Sequence, residues 1–172
     1  MLRESIPYLI ATAILIVAIL AFFIVARGRY VSFGLAQVLL RILAALPLVG
    51  SAIYVHFLNA NQATAMLPSA PAGFPSPLSM VIFSGICELL GAIGLFVPWA
   101  RRSAAMWIAI MMVLIFPVNV FVAGQIYFGL QMPSVPVRLV MQMIYIWIVL
   151  LAGYGMPGRG RRKTERPLAR SD

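Results

Sequence analysis

The sequence predicts an all-α membrane protein: a polytopic bundle of five transmembrane helices, N-terminus outside and C-terminus inside. Three observations carry this reading. Of 172 residues, 63% are hydrophobic and only 10% charged, more apolar surface than a soluble domain of that size can hide. The apolar residues come in runs of about twenty, the length that crosses a bilayer. Most basic residues sit between the runs and in the tail, as in the cytoplasmic loops of membrane proteins. A transmembrane barrel would show short segments of alternating polarity instead.

The first span is residues 6–26, whose strongest polar side chains are Tyr8 and Thr12. Its apolar core outruns a signal-peptide h-region, and no small-x-small cleavage site precedes Arg27-Gly28-Arg29, so it reads as an uncleaved anchor. The second span, 35–57, carries Arg41, Pro47, Tyr54 and His56; an internal proline predicts a kink. Residues 58–77 are uncharged and contain four prolines, which argues against a span and for a segment lying along the membrane surface. The third span, 78–98, carries Glu88; the fourth, 104–124, carries Pro117 and Asn119; the fifth, 137–155, carries Arg138, Gln142, Tyr145 and Trp147. This divides the chain into an N-terminal span with a basic loop (1–34), a four-helix core (35–156) and a basic tail (157–172).

Orientation follows from the loops. Ten of the thirteen basic residues fall on one side of a five-span arrangement: Arg27 and Arg29, Arg101 and Arg102, and six in the tail. Only Arg3 and Arg138 fall on the other, with Arg41 inside the membrane. The positive-inside rule therefore selects N-out, C-in.

The net charge of +9 belongs to these loops and is not a nucleic-acid signal; the basic tail reads as an anionic-lipid contact. One cysteine, Cys87, and one histidine, His56, exclude an internal disulfide, a CxxC redox pair and a zinc site built from Cys and His of one chain. No metal site and no cofactor held by the chain alone are expected. Cys87 reads as a small buried hydrophobe, and the ten methionines as core filler.

Glu88 is the only acidic residue between Glu4 and Glu165. It sits in SGICELLGAIG (84–94), where Ser84, Glu88 and Gly91 share one helix face. A carboxylate inside a span costs several kcal/mol, roughly, unless paired or protonated, so it marks a site by default. The adjacent small residues let another helix come close. With about 1.5 Å of rise per residue, His56, Asn119, Arg138 and Gln142 fall in the outer half of the bilayer, Glu88 near the middle and Arg41 toward the inner face. Arg138, Gln142 and Tyr145 are at i, i+4 and i+7, one stripe. Arg41 and His56 differ by only about 60° in phase on a regular helix. Spans two to five can turn these faces inward, leaving span one outside. In the bland alternative, Asn119 and Gln142 are interhelical glue and Arg41 snorkels to the interface. In the functional one, Glu88 is a proton acceptor or the counter-ion of Arg41 or Arg138. Arg41, His56, Asn119, Arg138 and Gln142 then bind a lipophilic headgroup such as a quinone.

The polar pieces, in order, are Arg41, His56-Phe57, SGICELLGAIGLFVP (84–98), Arg101-Arg102-Ser103-Ala104-Ala105, FPVNVFVA (116–123) and PVRLVMQMIYIW (136–147). As an ordered set over residues 35–154 they resemble the DoxX family of small bacterial membrane proteins. The resemblance implies a four-helix membrane bundle in the bacterial cytoplasmic membrane and an association with redox chemistry and stress resistance. Relatives in that family include a subunit of a thiosulfate:quinone oxidoreductase. The expectation is a subunit that handles a quinone or similar lipophile beside a membrane or soluble oxidoreductase, with no activity assigned to the chain alone. Two other readings use the same residues or the tail: a proton-coupled carrier or exporter of a small apolar compound, and a scaffold that recruits a soluble enzyme. The lipid bilayer is a partner in each, nucleic acid in none, and a homo-oligomer is compatible with all.

Overall fold

The computed structural model describes residues 2–26, 30–67 and 76–157. Arg27 and Arg29, the prolines at 68, 71 and 75, and the basic tail from residue 158 lie outside them. The architecture is all-helical apart from two short β-ribbons. Helix α1 is Leu2–Ala26 and α2 is Leu35–Ser51, which runs on through π-helical turns at Ala52–Leu58. A short α3 (Ala60–Ala63) and a 3-10 turn follow; then come α4 (Pro77–Gly94), α5 (Arg101–Phe121) and α6 (Val135–Tyr154). Five of these helical segments are long and apolar enough to cross a membrane: 9–26, 35–58, 77–94, 101–121 and 135–154.

Pro47 does not end α2. Regular α geometry is lost five residues later, where the π-turns begin. Proline at 77 takes the first turn of α4, where its missing N–H costs nothing. That turn is closed by a reciprocal cap between Ser76 and Ser79.

Two core layers hold the bundle. In the first, Ala44, Leu48, Cys87, Ala92, Leu95, Ala105, Ile108, Val149 and Ala152 join α2, α4, α5 and α6. In the second, Ala11, Leu15 and Phe22 of α1 meet Ala109, Val113, Phe116, Ile146 and Leu150. Helix α1 thus rides outside the four-helix core, on α5 and α6. Its other face, including Leu9, Val17 and Ile24, is exposed, and so are apolar residues on every other long helix. An apolar exterior around a core rich in alanine is the composition of helices packed in lipid, where small residues bring backbones together. Gly153 is the tightest such point: a Cβ there would collide with the Cβ of Ala105.

The two ends differ. At one end, strand β1 (Tyr30–Val31) pairs with β4 (Met156–Pro157), tying the α1–α2 connection to the exit of α6. Phe22, Phe23, Tyr30 and Tyr154 stack there with ring centres 5.1–6.4 Å apart. At the other end, β2 (Ile126–Tyr127) and β3 (Leu130–Gln131) form a hairpin. Its turn residues, Phe128 and Gly129, have φ of 53° and 74°, the left-handed pair that a two-residue hairpin turn requires. The hairpin leans on the α3 segment: the Tyr127 hydroxyl donates to Ala65 O at 3.1 Å.

Candidate binding site

His56 and Glu88 meet at the hairpin end of the core. The π-turns after α2 carry His56, and π-helical turns recur at functional sites because they re-aim a side chain. Gly85 lets that turn come close: a Cβ on it would stand 2.5 Å from the Cβ of His56. Nδ1 of His56 lies 2.8 Å from Val81 O. A carbonyl can only accept, so Nδ1 carries a hydrogen and Nε2 is left to face the carboxylate. The Ser84 hydroxyl donates to the same carbonyl at 2.8 Å and stands 3.0 Å from Nδ1. Nε2 is 3.5 Å from Glu88 Oε1, inside ion-pair range and longer than an ordinary hydrogen bond. One proton shared between Nε2 and Oε1 makes this contact attractive; without it, two lone pairs would face each other.

Glu88 is 4% exposed, and its second oxygen, Oε2, is buried with no hydrogen-bond partner among the described residues. Leaving a buried acceptor unpaired costs about 1–3 kcal/mol, and more if it is charged. Glu88 and His56 line a cavity of about 280 Å³ whose other walls include Met66, Met80, Met112, Ile115 and Asn119.

Asn119 joins this cavity to a second polar group. Arg138 Nη1 donates to Asn119 Oδ1 at 2.7 Å, and Asn119 Nδ2 donates to Gln142 Oε1 at 2.7 Å. Gln142 Nε2 donates in turn to Met112 O. Arg138 Nε donates to Pro133 O at 3.2 Å. The chain of donors runs one way, from guanidinium to backbone carbonyl. Arg138, Asn119 and Gln142 line a further cavity of about 390 Å³ with Pro47, Met112 and Tyr145. The predicted stripe of α6 does turn inward: Tyr145 also engages, donating to Ala44 O at 2.5 Å. Both bonds tie α6 to the backbone of a neighbouring helix, α2 at Ala44 and α5 at Met112.

Arg41 stands apart. Its Nε donates to Ala152 O at 3.1 Å, beside Gln37, whose Nε2 donates to the same carbonyl at 3.2 Å. It caps the C-terminal end of α6, where the helix dipole favours a cation. Of the alternatives open for Glu88, a counter-ion role to Arg41 or Arg138 is not what the structure shows: Glu88 faces His56, while Arg41 donates to Ala152 O and Arg138 to Asn119 and Pro133 O. Gln37 and Ser84 are the additions. Gln37 precedes Arg41 by four residues, a spacing that puts two polar groups on one face and was visible in the sequence. Among the described residues, no three His, Cys, Asp or Glu gather in a way that could hold a metal.

Residues 43–152 match the family model described as a domain of unknown function, DUF8561. The chain belongs to the DUF8561 family. The DUF8561 segment contains His56, Glu88, Asn119, Arg138 and Gln142 and leaves out α1 and Arg41. No curated protein and no solved structure matches the chain.

Proposed function

We propose that this protein is a multi-pass membrane protein that holds a small hydroxylated lipophile, of the size and chemistry of a reduced quinone ring, against Glu88. The observation that carries the reading is Oε2 of Glu88, a buried acceptor without a partner among the described residues, in a residue that lines a mostly apolar cavity. An acceptor calls for a donor, so a hydroxyl fits better than a quinone carbonyl. The other polar groups agree: the hydrogens of Ser84 and of His56 Nδ1 go to Val81 O, and Asn119 is engaged at both ends of its amide. At about 280 Å³ the space is larger than the ~150 Å³ cavity that takes benzene and near the lower bound for ligand pockets, about 300 Å³. One substituted ring fits such a space.

Glu88 then accepts the hydrogen bond of the hydroxyl and is placed to take its proton, while the contact to His56 keeps a proton of its own. The chain supplies binding and a proton site, and the electron acceptor belongs to an oxidoreductase partner. The resemblance to the DoxX family, which rests on the sequence pattern alone, favours this setting in the bacterial cytoplasmic membrane. The clustering of basic residues favours the N-terminus outside and the C-terminus inside. A proton-coupled carrier is less well supported. It needs access from both faces, and the layer of Ala44, Leu48, Ala92, Ile108 and Val149 fills the core between the cavity and the other end of the bundle.

The test compares a short-chain hydroquinone with its dimethyl ether, which lacks the donors, on the purified protein in lipid nanodiscs. The wild type is expected to bind the hydroquinone about tenfold more tightly, the equivalent of roughly 1.4 kcal/mol, and Glu88→Gln to lose most of that preference. Equal discrimination in the two proteins would remove Glu88 from the site.

A further inference from the structure

The opposite end of the bundle carries a separate cavity of about 460 Å³, lined by Tyr30, Ser32, Gln37, Arg101, Arg102 and Tyr154 among others. It shares no lining residue with the Glu88 cavity. Its charge is unbalanced. Arg101 and Arg102 open helix α5, and Arg41 lies nearby on Ala152 O. Among the described residues from 9 to 157, the only carboxylate is Glu88, which is engaged with His56. The sequence after residue 157 is itself net basic, with six Lys and Arg against Glu165 and Asp172. Arg101 Nε is buried and has no hydrogen-bond partner among the described residues. Arg102 rests on the face of Tyr154, its guanidinium carbon 5.9 Å from the ring centre, which fixes the head without spending its hydrogen bonds.

We infer that this cavity binds a phosphate group. Two arginines side by side offer forked donors that match phosphate oxygens in geometry as well as charge, and the hydroxyl of Tyr30 adds a neutral donor, while that of Ser32 already donates to Gln37 Oε1 at 3.0 Å. The setting favours the phosphate of an anionic phospholipid. Trp99 also lines the cavity and is 88% exposed, as expected of a ring seated at the headgroup level. Basic pockets between membrane helices take such headgroups.

The full chain in neutral detergent is titrated with short-chain phosphatidylglycerol and with the matching phosphatidylcholine, and bound lipid is counted by native mass spectrometry. The wild type is expected to prefer phosphatidylglycerol at least about tenfold; Arg101→Gln/Arg102→Gln is expected to abolish the preference, and Arg161→Gln/Arg162→Gln in the tail to keep it. Displacement of the lipid by millimolar inorganic phosphate, dependent on Arg101 and Arg102, supports the site and assigns free phosphate as an alternative source. Retention of the lipid under phosphate assigns the headgroup. No preference in the wild type, or a preference that follows the tail arginines, overturns the inference. If the glutamine variant does not insert, phenylglyoxal labelling of the wild type decides: phosphatidylglycerol or phosphate should protect Arg101 and Arg102, and unchanged labelling with both overturns the site.

Discussion

His56 Nε2 stands 3.5 Å from Glu88 Oε1, and this contact, rather than an arginine, is what Glu88 meets inside the bundle. Both residues are under a tenth exposed. Breaking one side of a buried pair costs more than the pair itself is worth, because the survivor stays uncompensated. His56→Ala is therefore expected to destabilise the protein by about 3 kcal/mol, and Glu88→Gln by less, since a neutral amide needs no counter-charge. In the double variant the two effects should fall short of their sum. Unfolding in detergent across the four proteins gives the coupling; strict additivity would mean the two groups do not interact.

The approach of the π-turn to α4 depends on Gly85. Alanine there would press on the Cβ of His56 at 2.5 Å, and overpacking of that kind costs about 1–3 kcal/mol. Gly50 is the control, because a Cβ on it has nothing within 4 Å. Gly50→Ala is expected to be neutral or mildly stabilising, as glycine is a poor helix former. Thermal unfolding of the two variants should separate them clearly. Similar melting temperatures would show that His56 is not held by this contact.

The five long apolar helices were legible because runs of about twenty apolar residues have few alternatives. The inward stripe of α6 was legible because α6 keeps one pitch throughout, so Arg138, Gln142 and Tyr145 stay in phase. The partner of Glu88 was not. The phase of about 60° between Arg41 and His56 assumed a uniform α-helix, and the chain changes pitch at Ala52–Leu58. Past that point His56 turns to α4, while Arg41 stays on the C-terminal end of α6. Nothing in the local sequence marks this change of pitch, which lies where the chain comes close to α4 at Gly85. The Arg101–Arg102 cavity was hidden for a different reason. It needs Tyr30, Ser32 and Tyr154 from distant parts of the chain, brought together by the pairing of β1 with β4.

Arg41 offers a test of the division between the two ends. Arg41→Met removes one donor from Ala152 O, and Gln37 still donates to it. The expected cost is under about 1 kcal/mol, rising in Arg41→Met/Gln37→Leu, where the carbonyl loses both donors. Neither variant should alter the preference for a hydroquinone over its dimethyl ether, because neither residue lines the Glu88 cavity. A change in that preference comparable to Glu88→Gln would mean the two ends are coupled.

The bonds from α6 side chains to the backbones of α2 and α5 predict an order of effects. Tyr145→Phe loses one bond, to Ala44 O, and interhelical bonds in membranes are worth about 0.6 kcal/mol on average, with a maximum near 1.7. Gln142→Leu loses the bond to Met112 O and also leaves Asn119 Nδ2, a part-buried donor, without its acceptor. It should cost more than Tyr145→Phe, by about 1 kcal/mol or more. Asn119→Leu/Gln142→Leu removes both ends of that contact and should recover part of the loss, although Arg138 then keeps only Pro133 O. Unfolding of the three variants in the same detergent ranks them. If Gln142→Leu proved as mild as Tyr145→Phe, the one-way chain from Arg138 to Met112 O would carry no more than its separate bonds.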